Sequence, residues 1–339
     1  MALPEIQRPR KLREGGQIRV VAPSRSRGMI PVARHDEATG RLRSLGLDVS
    51  FGDHVDERDD FTSSSVASRV ADLHDAFADP RVAGILTVIG GFNSNQLLDH
   101  LDWDLIAANP KVFCGYSDIT ALQHALLAHT GLLTYSGPHW SSFGMRDHFE
   151  LTLDWFRRTV FAPEAGGQDG PIDLAPAQEW TDDLWFLDQD DRHPEPSDGW
   201  WSLGADGIES GRIIGANLAT VTLLPGTPHM PLPESCVLVI EDDLESQPHH
   251  FDRLLHSLLH HLTHEGTQVR GVVIGRFQRD SQMTRDLLQT IVGIPELAAL
   301  PIVANIDYGH TSPMITLPIG GEIEMRVDGD SIGLRLLDY

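Results

Sequence analysis

Short, nearly continuous apolar runs recur through the first 140 residues, and stretches of helical periodicity lie between them. Residues 17–24 (QIRVVAPS) read as a buried strand followed by a turn, and 47–51 and 82–89 as strands, the last ending on Gly90 and Gly91. Val112, Phe113 and Cys114 form another, and 132–135 a further one. Between them, 31–45, 64–78 and 95–101 read as helices; in the second, Val66, Val70, Leu73 and Phe77 form one stripe. A strand that is apolar on both faces must be covered on both faces. The alternation therefore specifies an α/β fold, a parallel sheet with helices on either side. Ligands bind such sheets beyond the carboxyl ends of the strands. Two loops fall there, 90–95 (GGFNSN) and the turn at Ser117.

In the stretch 111–131 (KVFCGYSDITALQHALLAHTG) the strand runs through Gly115, Tyr116, Ser117 and Asp118 straight into a helix with Ile119, Leu122, Ala125 and Leu126 on one face. A serine at a tight strand-to-helix turn is exposed, and the first helix amides can face a developing oxyanion. Ser117 is thus a candidate nucleophile. Serine is also a common helix N-cap, and no glycine follows two residues later.

A chain of 339 residues exceeds the size at which one core usually stops growing, so two domains are expected. From 161 to 204, Pro, Gly, Asp and Trp dominate, which reads as a linker or flap. Regular signals return after Gly211: strands near 212–214, 236–240 and 269–274, helices at 251–262 and 283–292, and β-structure over 315–337. The division is then an α/β domain over 1–160, a linker and substrate loop over 161–204, and a second domain over 205–339. A net charge of −23 repels phosphate backbones and anionic lipid, so neither nucleic acid nor a membrane is an expected partner. Cys114 and Cys236 lie in apolar runs and read as free thiols of a cytoplasmic protein. No secretory h-region and no apolar run of about 18 residues occurs.

A serine nucleophile needs a base, and the base needs an orienting acid. Glu241 directly follows the run Val237, Leu238, Val239, Ile240, at the end of a strand. His310 lies in NIDYGHTSPMITLPIG, a loop-like stretch between two apolar runs. Each has an ordinary alternative, a solvated acidic turn with Asp242, Asp243 and Glu245, or a loop histidine. In 248–264, His256 and His260 stand four apart as metal ligands can, but there is no HExxH and the leucines describe an amphipathic helix, so no metal is expected. No G-x-G-x-x-G follows the first strand, so no nucleotide cofactor is expected either.

Several segments together resemble the LD-carboxypeptidase family of serine peptidases (type S66): VIGGFNSNQLLDHLDWDLI, NPKVFCGYSDITAL, GLLTYSGPHWSSFG, GANLATVTLLPGT, LVIEDDLE, FDRLLHSL, GVVIGRF and IVANIDYGHTSPMITLPIGG. Within that family the chain looks most like the microcin C immunity hydrolases. The resemblance implies a Rossmann-like first domain, a smaller β-rich second domain and a homodimer. It implies a triad of Ser117, Glu241 and His310, with an oxyanion hole from the amides of Gly91 and Asp118. Its members either trim D-alanine from murein tetrapeptide or cut an aminoacyl group from a nucleotide-like sulfamate or phosphoramidate. The second type carries a long loop with an aromatic residue that stacks on the base. The tryptophan-rich stretch here matches that description, with Trp185 the first candidate and Trp180 the second. Asn217, in GANLAT, is a candidate for holding the amino-acid part, although Ala216 replaces the glycine of many relatives. The expected substrate is a small peptide or peptide-nucleotide, and the remaining alternative is a non-catalytic protein that binds ligand in the same cleft.

Overall fold

The computed structural model describes residues 3–163 and 170–339; Met1, Ala2 and 164–169, the last within the expected substrate loop, lie outside the described residues. Two sheets organise the chain. The first has the spatial order Leu317–Ile319, Thr134–Ser136, Val112–Gly115, Val82–Thr87, Gln17–Val21 and Asp48–Phe51. Its first-half strands are parallel. Leu317–Ile319 joins antiparallel beside Thr134–Ser136, although it comes from the far end of the chain. The second sheet runs Ile172–Asp173, Ser331–Asp338, Glu322–Asp328, Gly207–Asn217, Ser235–Glu241, Gln268–Gly275, Ile302–Ile306 and Trp201–Ser202. Its centre, from Gly207–Asn217 to Ile302–Ile306, is parallel, and its flanks are antiparallel.

The stripe read in the second helix packs as expected. Val66–Ala78 starts at Ser65, whose side chain accepts from the Ser68 amide, and buries Leu73, Ala76 and Phe77 beside Val21, Val82 and Ile85. Residues 95–101 instead form a 3₁₀ helix, Ser94–His100.

The helix after the serine differs from its expectation of one apolar face. Thr120–Thr130 is buried on nearly every side, because it lies between the two halves. Leu122, Ala125, Leu126 and Leu127 share one buried cluster with Ile213, Ile214, Leu218 and Val221. Its polar groups find partners inside. Gln123 Nε2 donates to the carbonyls of Gly115 (3.1 Å) and Tyr135 (2.8 Å). His124 Nδ1 donates to the Thr120 carbonyl at 2.8 Å, and Nε2 accepts from the Gly215 amide at 3.1 Å. Burial pushes His124 down to about 4, so it stays neutral and keeps the lone pair that this second bond needs. Gly131, at φ 70°, ends the helix in the left-handed conformation.

Between 161 and 204 the described residues make short pairings. Ile172–Asp173 and Trp201–Ser202 close the two edges of the second sheet, and Glu179–Trp180 pairs with Glu195–Pro196. Two-residue pieces are too short to leave a periodic signal. Both cysteines are buried and free. Among the described residues no helix is long and apolar enough to cross a membrane.

Candidate active site

The strand Val112–Gly115 ends at the carboxyl edge of the first sheet, and two residues later comes Ser117. Its φ of 61° is unusual for a residue with a side chain and stores roughly 1–3 kcal/mol of strain. The neighbouring loop approaches so closely that a Cβ on Gly90 would lie 2.8 Å from Ser117 Cβ. The 3₁₀ turn Ser117–Ile119 then feeds the buried helix.

His310 arrives by another route. After Ile302–Ile306 the chain leaves the second sheet and crosses to the first, where Leu317–Ile319 pairs. The crossing carries the imidazole to Ser117: His310 Nε2 is 3.2 Å from Ser117 Oγ, and Nδ1 is 2.7 Å from Glu241 Oε2. Glu241 closes the strand Ser235–Glu241 and is 2% exposed. Gly309, at φ 103°, lies against it, where a Cβ would sit 2.6 Å from Oε2.

Buried side chains at 307 and 308 help to hold the crossing. The Tyr308 hydroxyl donates to Ser136 Oγ at 2.8 Å. Asp307 accepts from Arg276 Nη1 at 2.8 Å in an ion pair whose side chains are each 2% exposed. Its other oxygen accepts from the Ala177 amide (2.9 Å) and Trp200 Nε1 (3.3 Å).

Burial is the largest influence on His310 and favours the neutral ring. The Glu241 charge and hydrogen bond, with help from Asp243 and Asp242, outweigh it and raise the imidazole above its ordinary range. A second buried imidazole behaves oppositely. His139 stacks near Tyr116 at 4.2 Å, and its Nδ1 is 2.8 Å from Thr87 Oγ1. Burial, then the nearby His310, push it down to about 3. Tyr116 also lies edge-on to His310, 5.2 Å away, with its hydroxyl pushed up to about 12, first by burial. The basic ring of this pair is therefore His310.

Ser117, Gly91, Phe92, Asn217 and Asp242 line one cavity of about 290 Å³. Gly91 has φ 116°, and its amide meets no acceptor among the described residues. The Asp118 amide opens the turn, where helix donors lack internal acceptors. The Asp118 carboxylate does something that sequence reading missed. Its Oδ2 accepts from Ser24 Oγ (2.7 Å) and the Ser94 amide (2.9 Å), and Ser94 Oγ donates back to the Asp118 carbonyl at 2.6 Å. These bonds tie the loop 91–95 to the serine turn. Burial raises this carboxyl, and those same bonds limit the rise.

Asn217 caps its own helix, Leu218–Val221: Oδ1 accepts from the Thr220 amide at 3.0 Å, and Nδ2 donates to Asp242 Oδ1 at 3.2 Å. Asp242 is raised to about 7 by burial and then by the Glu241 charge. Trp180 and Trp185 do not line this cavity. The guanidinium groups of Arg276 and Arg279 stand over the Trp180 ring, at 5.0 and 4.7 Å. It borders two other cavities, of about 380 and 320 Å³. Trp185 packs half-buried against the cluster containing Trp140 and Met145. His256 and His260 have ring centres 6.3 Å apart, and among the described residues no group of three metal-ligating side chains gathers. His139 lay in a motif already singled out, but its partner Thr87 is 52 residues away, so its part in the site left no local signal.

Comparison with known proteins gives a consistent picture. Residues 18–137 match the model of the LD-carboxypeptidase N-terminal domain, and 210–325 that of the LD-carboxypeptidase C-terminal domain. YocD of Bacillus subtilis is 45% identical over 312 residues, covering 92% of this chain and 93% of YocD. The crystal structure of an MccF-like protein from Bacillus anthracis overlays with a TM-score of 0.93 at 43% identity, covering 98% of this chain and 100% of that one. MccF in complex with glutamyl sulfamoyl guanosine gives 0.86 at 25% identity, with 98% of each chain covered. A muramoyltetrapeptide carboxypeptidase from Oxalobacter formigenes gives 0.75 at 25% identity, covering 95% of this chain and 99% of that one.

Proposed function

We propose, since this chain belongs to the LD-carboxypeptidase family and is an enzyme of its serine type, that Ser117, His310 and Glu241 cut the acyl–nitrogen bond of a peptide-nucleotide. Ser117 Oγ attacks the acyl carbon while His310 Nε2 takes its proton. The amides of Gly91 and Asp118 receive the oxyanion. His310 then protonates the leaving nitrogen, and in the second half-reaction it activates the water that releases the acyl group. Glu241 holds the Nδ1–H tautomer and stabilises the imidazolium. The observation that carries this reading is the chain of contacts from Ser117 Oγ through His310 to Glu241, 3.2 and 2.7 Å long.

The raised His310 sets the pH dependence. A base must be neutral, and the neutral fraction grows as pH rises through the folded-state pKa. kcat/KM is therefore expected to rise along a limb centred above 6.5, the ordinary histidine value. Glu241→Gln removes the charge that opposes burial, so the limb moves to lower pH while turnover falls by roughly 10³–10⁴. A limb that stays in place in that variant would contradict the assignment of His310.

The nucleotide-bearing substrate is supported by the overlay with MccF-type structures, 0.93 and 0.86 against 0.75 for the muramoyltetrapeptide enzyme. MccF structures carry glutamyl sulfamoyl guanosine and aspartyl sulfamoyl adenosine. In this reading Trp185, or Trp180 behind it, offers the face on which the base stacks, and Asn217 helps hold the aminoacyl part. Trp185→Ala should then weaken binding of an aminoacyl sulfamoyl adenosine by about 1–3 kcal/mol, read by calorimetry on Ser117→Ala protein. The 0.75 overlay supports a second reading, L,D-carboxypeptidase action on murein tetrapeptide. Incubating the protein with each compound separates the two; release of D-alanine alone would reverse the preference.

A further inference from the structure

Several arginines in this acidic chain find carboxylates: Arg276 with Asp307 at 2.8 Å, Arg279 with Asp182 at 2.7 Å, Arg81 with Asp79 at 2.7 Å. Arg25 does not. Among the described residues its side chain pairs with no acid, and its Nε is buried without a hydrogen-bond acceptor. A buried donor left unmatched costs about 1–3 kcal/mol, so the position asks for a partner that arrives with a ligand.

Its place in the fold says which ligand. The Arg25 amide donates to the Gly90 carbonyl at 3.4 Å, and the guanidinium stands 5.5 Å over the Phe92 ring. A Cβ on Gly91 would lie 2.6 Å from Arg25 Nε, so the arginine covers the very residue whose amide is free. Gly91 and Phe92 line the cavity that contains Ser117. The cation therefore borders the loop 90–95, whose Gly91 and Phe92 share that cavity with the nucleophile, and stands beside an aromatic ring.

Chemistry supplies the match. Both substrates considered above carry a negative charge at or close to the scissile nitrogen, on its leaving-group side. In a terminal D-alanine it is the α-carboxylate; in an acyl phosphoramidate it is a phosphoryl oxygen; in an acyl sulfamate it is the ionised nitrogen, whose charge is shared with the sulfonyl oxygens. The guanidinium fork suits each of these. We propose that Arg25 receives the anion carried at or next to the leaving nitrogen, and that the enzyme selects leaving groups by that charge. The inference rests on the hydrolase reading and adds to it a specificity-determining residue.

The test compares matched substrates. An aminoacyl sulfamoyl adenosine is paired with the neutral aminoacyl amide of 5′-amino-5′-deoxyadenosine, and a murein tetrapeptide with its C-terminal carboxamide. In Arg25→Gln the ratio of kcat/KM for the anionic over the neutral member should fall about 10- to 100-fold, with partial recovery in Arg25→Lys. A purely structural arginine would lower both members alike and leave the ratio unchanged, which would overturn the proposal. A ratio that follows a charge on the acyl side instead would also overturn it. Fluorophosphonate labelling of Ser117 separates the two levels. An unlabelled serine sinks the hydrolase reading itself, whereas a labelled serine with an unmoved ratio sinks only the role of Arg25.

Discussion

Ser117→Ala is expected to reduce turnover by about 10⁴- to 10⁶-fold while leaving the unfolding midpoint near that of the parent protein. The substitution removes one oxygen whose hydrogen bond runs to His310 Nε2 at 3.2 Å. Cβ stays, so the close approach to Gly90 and the backbone of the turn are unchanged. The His310 side chain is 17% exposed, so water can take the place of the lost hydroxyl on the ring and no buried donor is stranded. What disappears is the protein's own proposed nucleophile. Residual rate then comes from the oxyanion amides and substrate binding alone. Turnover within tenfold of the parent, measured on an aminoacyl sulfamoyl adenosine with the melting curve as control, would remove Ser117 from the mechanism.

Asp307→Ala should cost about 3–5 kcal/mol of stability, the range for stripping one partner from a buried ion pair. Arg276 is 3% exposed, and its Nη1 would lose its carboxylate; Nε and Nη2 would keep Asn305 Oδ1 (3.1 Å) and Ser197 Oγ (2.9 Å), neither of which is charged. The Ala177 amide and Trp200 Nε1 would lose an acceptor as well. Asp307 stands three residues before His310 on the crossing between the sheets, so turnover should fall along with the urea midpoint. The cause can be isolated. Combining Asp307→Leu with Arg276→Met removes both charges together and should recover a large part of the lost stability, because the penalty lies in the unmatched guanidinium. A midpoint unmoved by Asp307→Ala would mean that the pair contributes nothing to holding the crossing.

Much of the first half was legible because its signals are local. A run such as Val82–Thr87 is apolar on both faces wherever it is placed, and its neighbours Val66–Ala78 and Val32–Ser44 repeat at helical spacing. Those facts specify a covered parallel sheet. The serine turn was legible for the same reason, since a strand, a small polar residue and a helix follow one another within ten residues. Glu241 could be picked out as the polar end of an apolar strand.

What the local pattern left open was settled by distance along the chain. His310 is 193 residues from Ser117 and 69 from Glu241, and neither separation carries any periodicity. They meet because Leu317–Ile319 pairs with a strand of the first half and draws residues 307–316 across the sheets. The all-round burial of Thr120–Thr130, the anchoring of loop 91–95 by the Asp118 carboxylate, and the unmatched Arg25 beside Gly91 arise the same way. Apolar periodicity fixes which face of an element seeks cover. Which polar groups then come within about 3 Å of each other depends on how separate elements pack, and only the folded chain decides that.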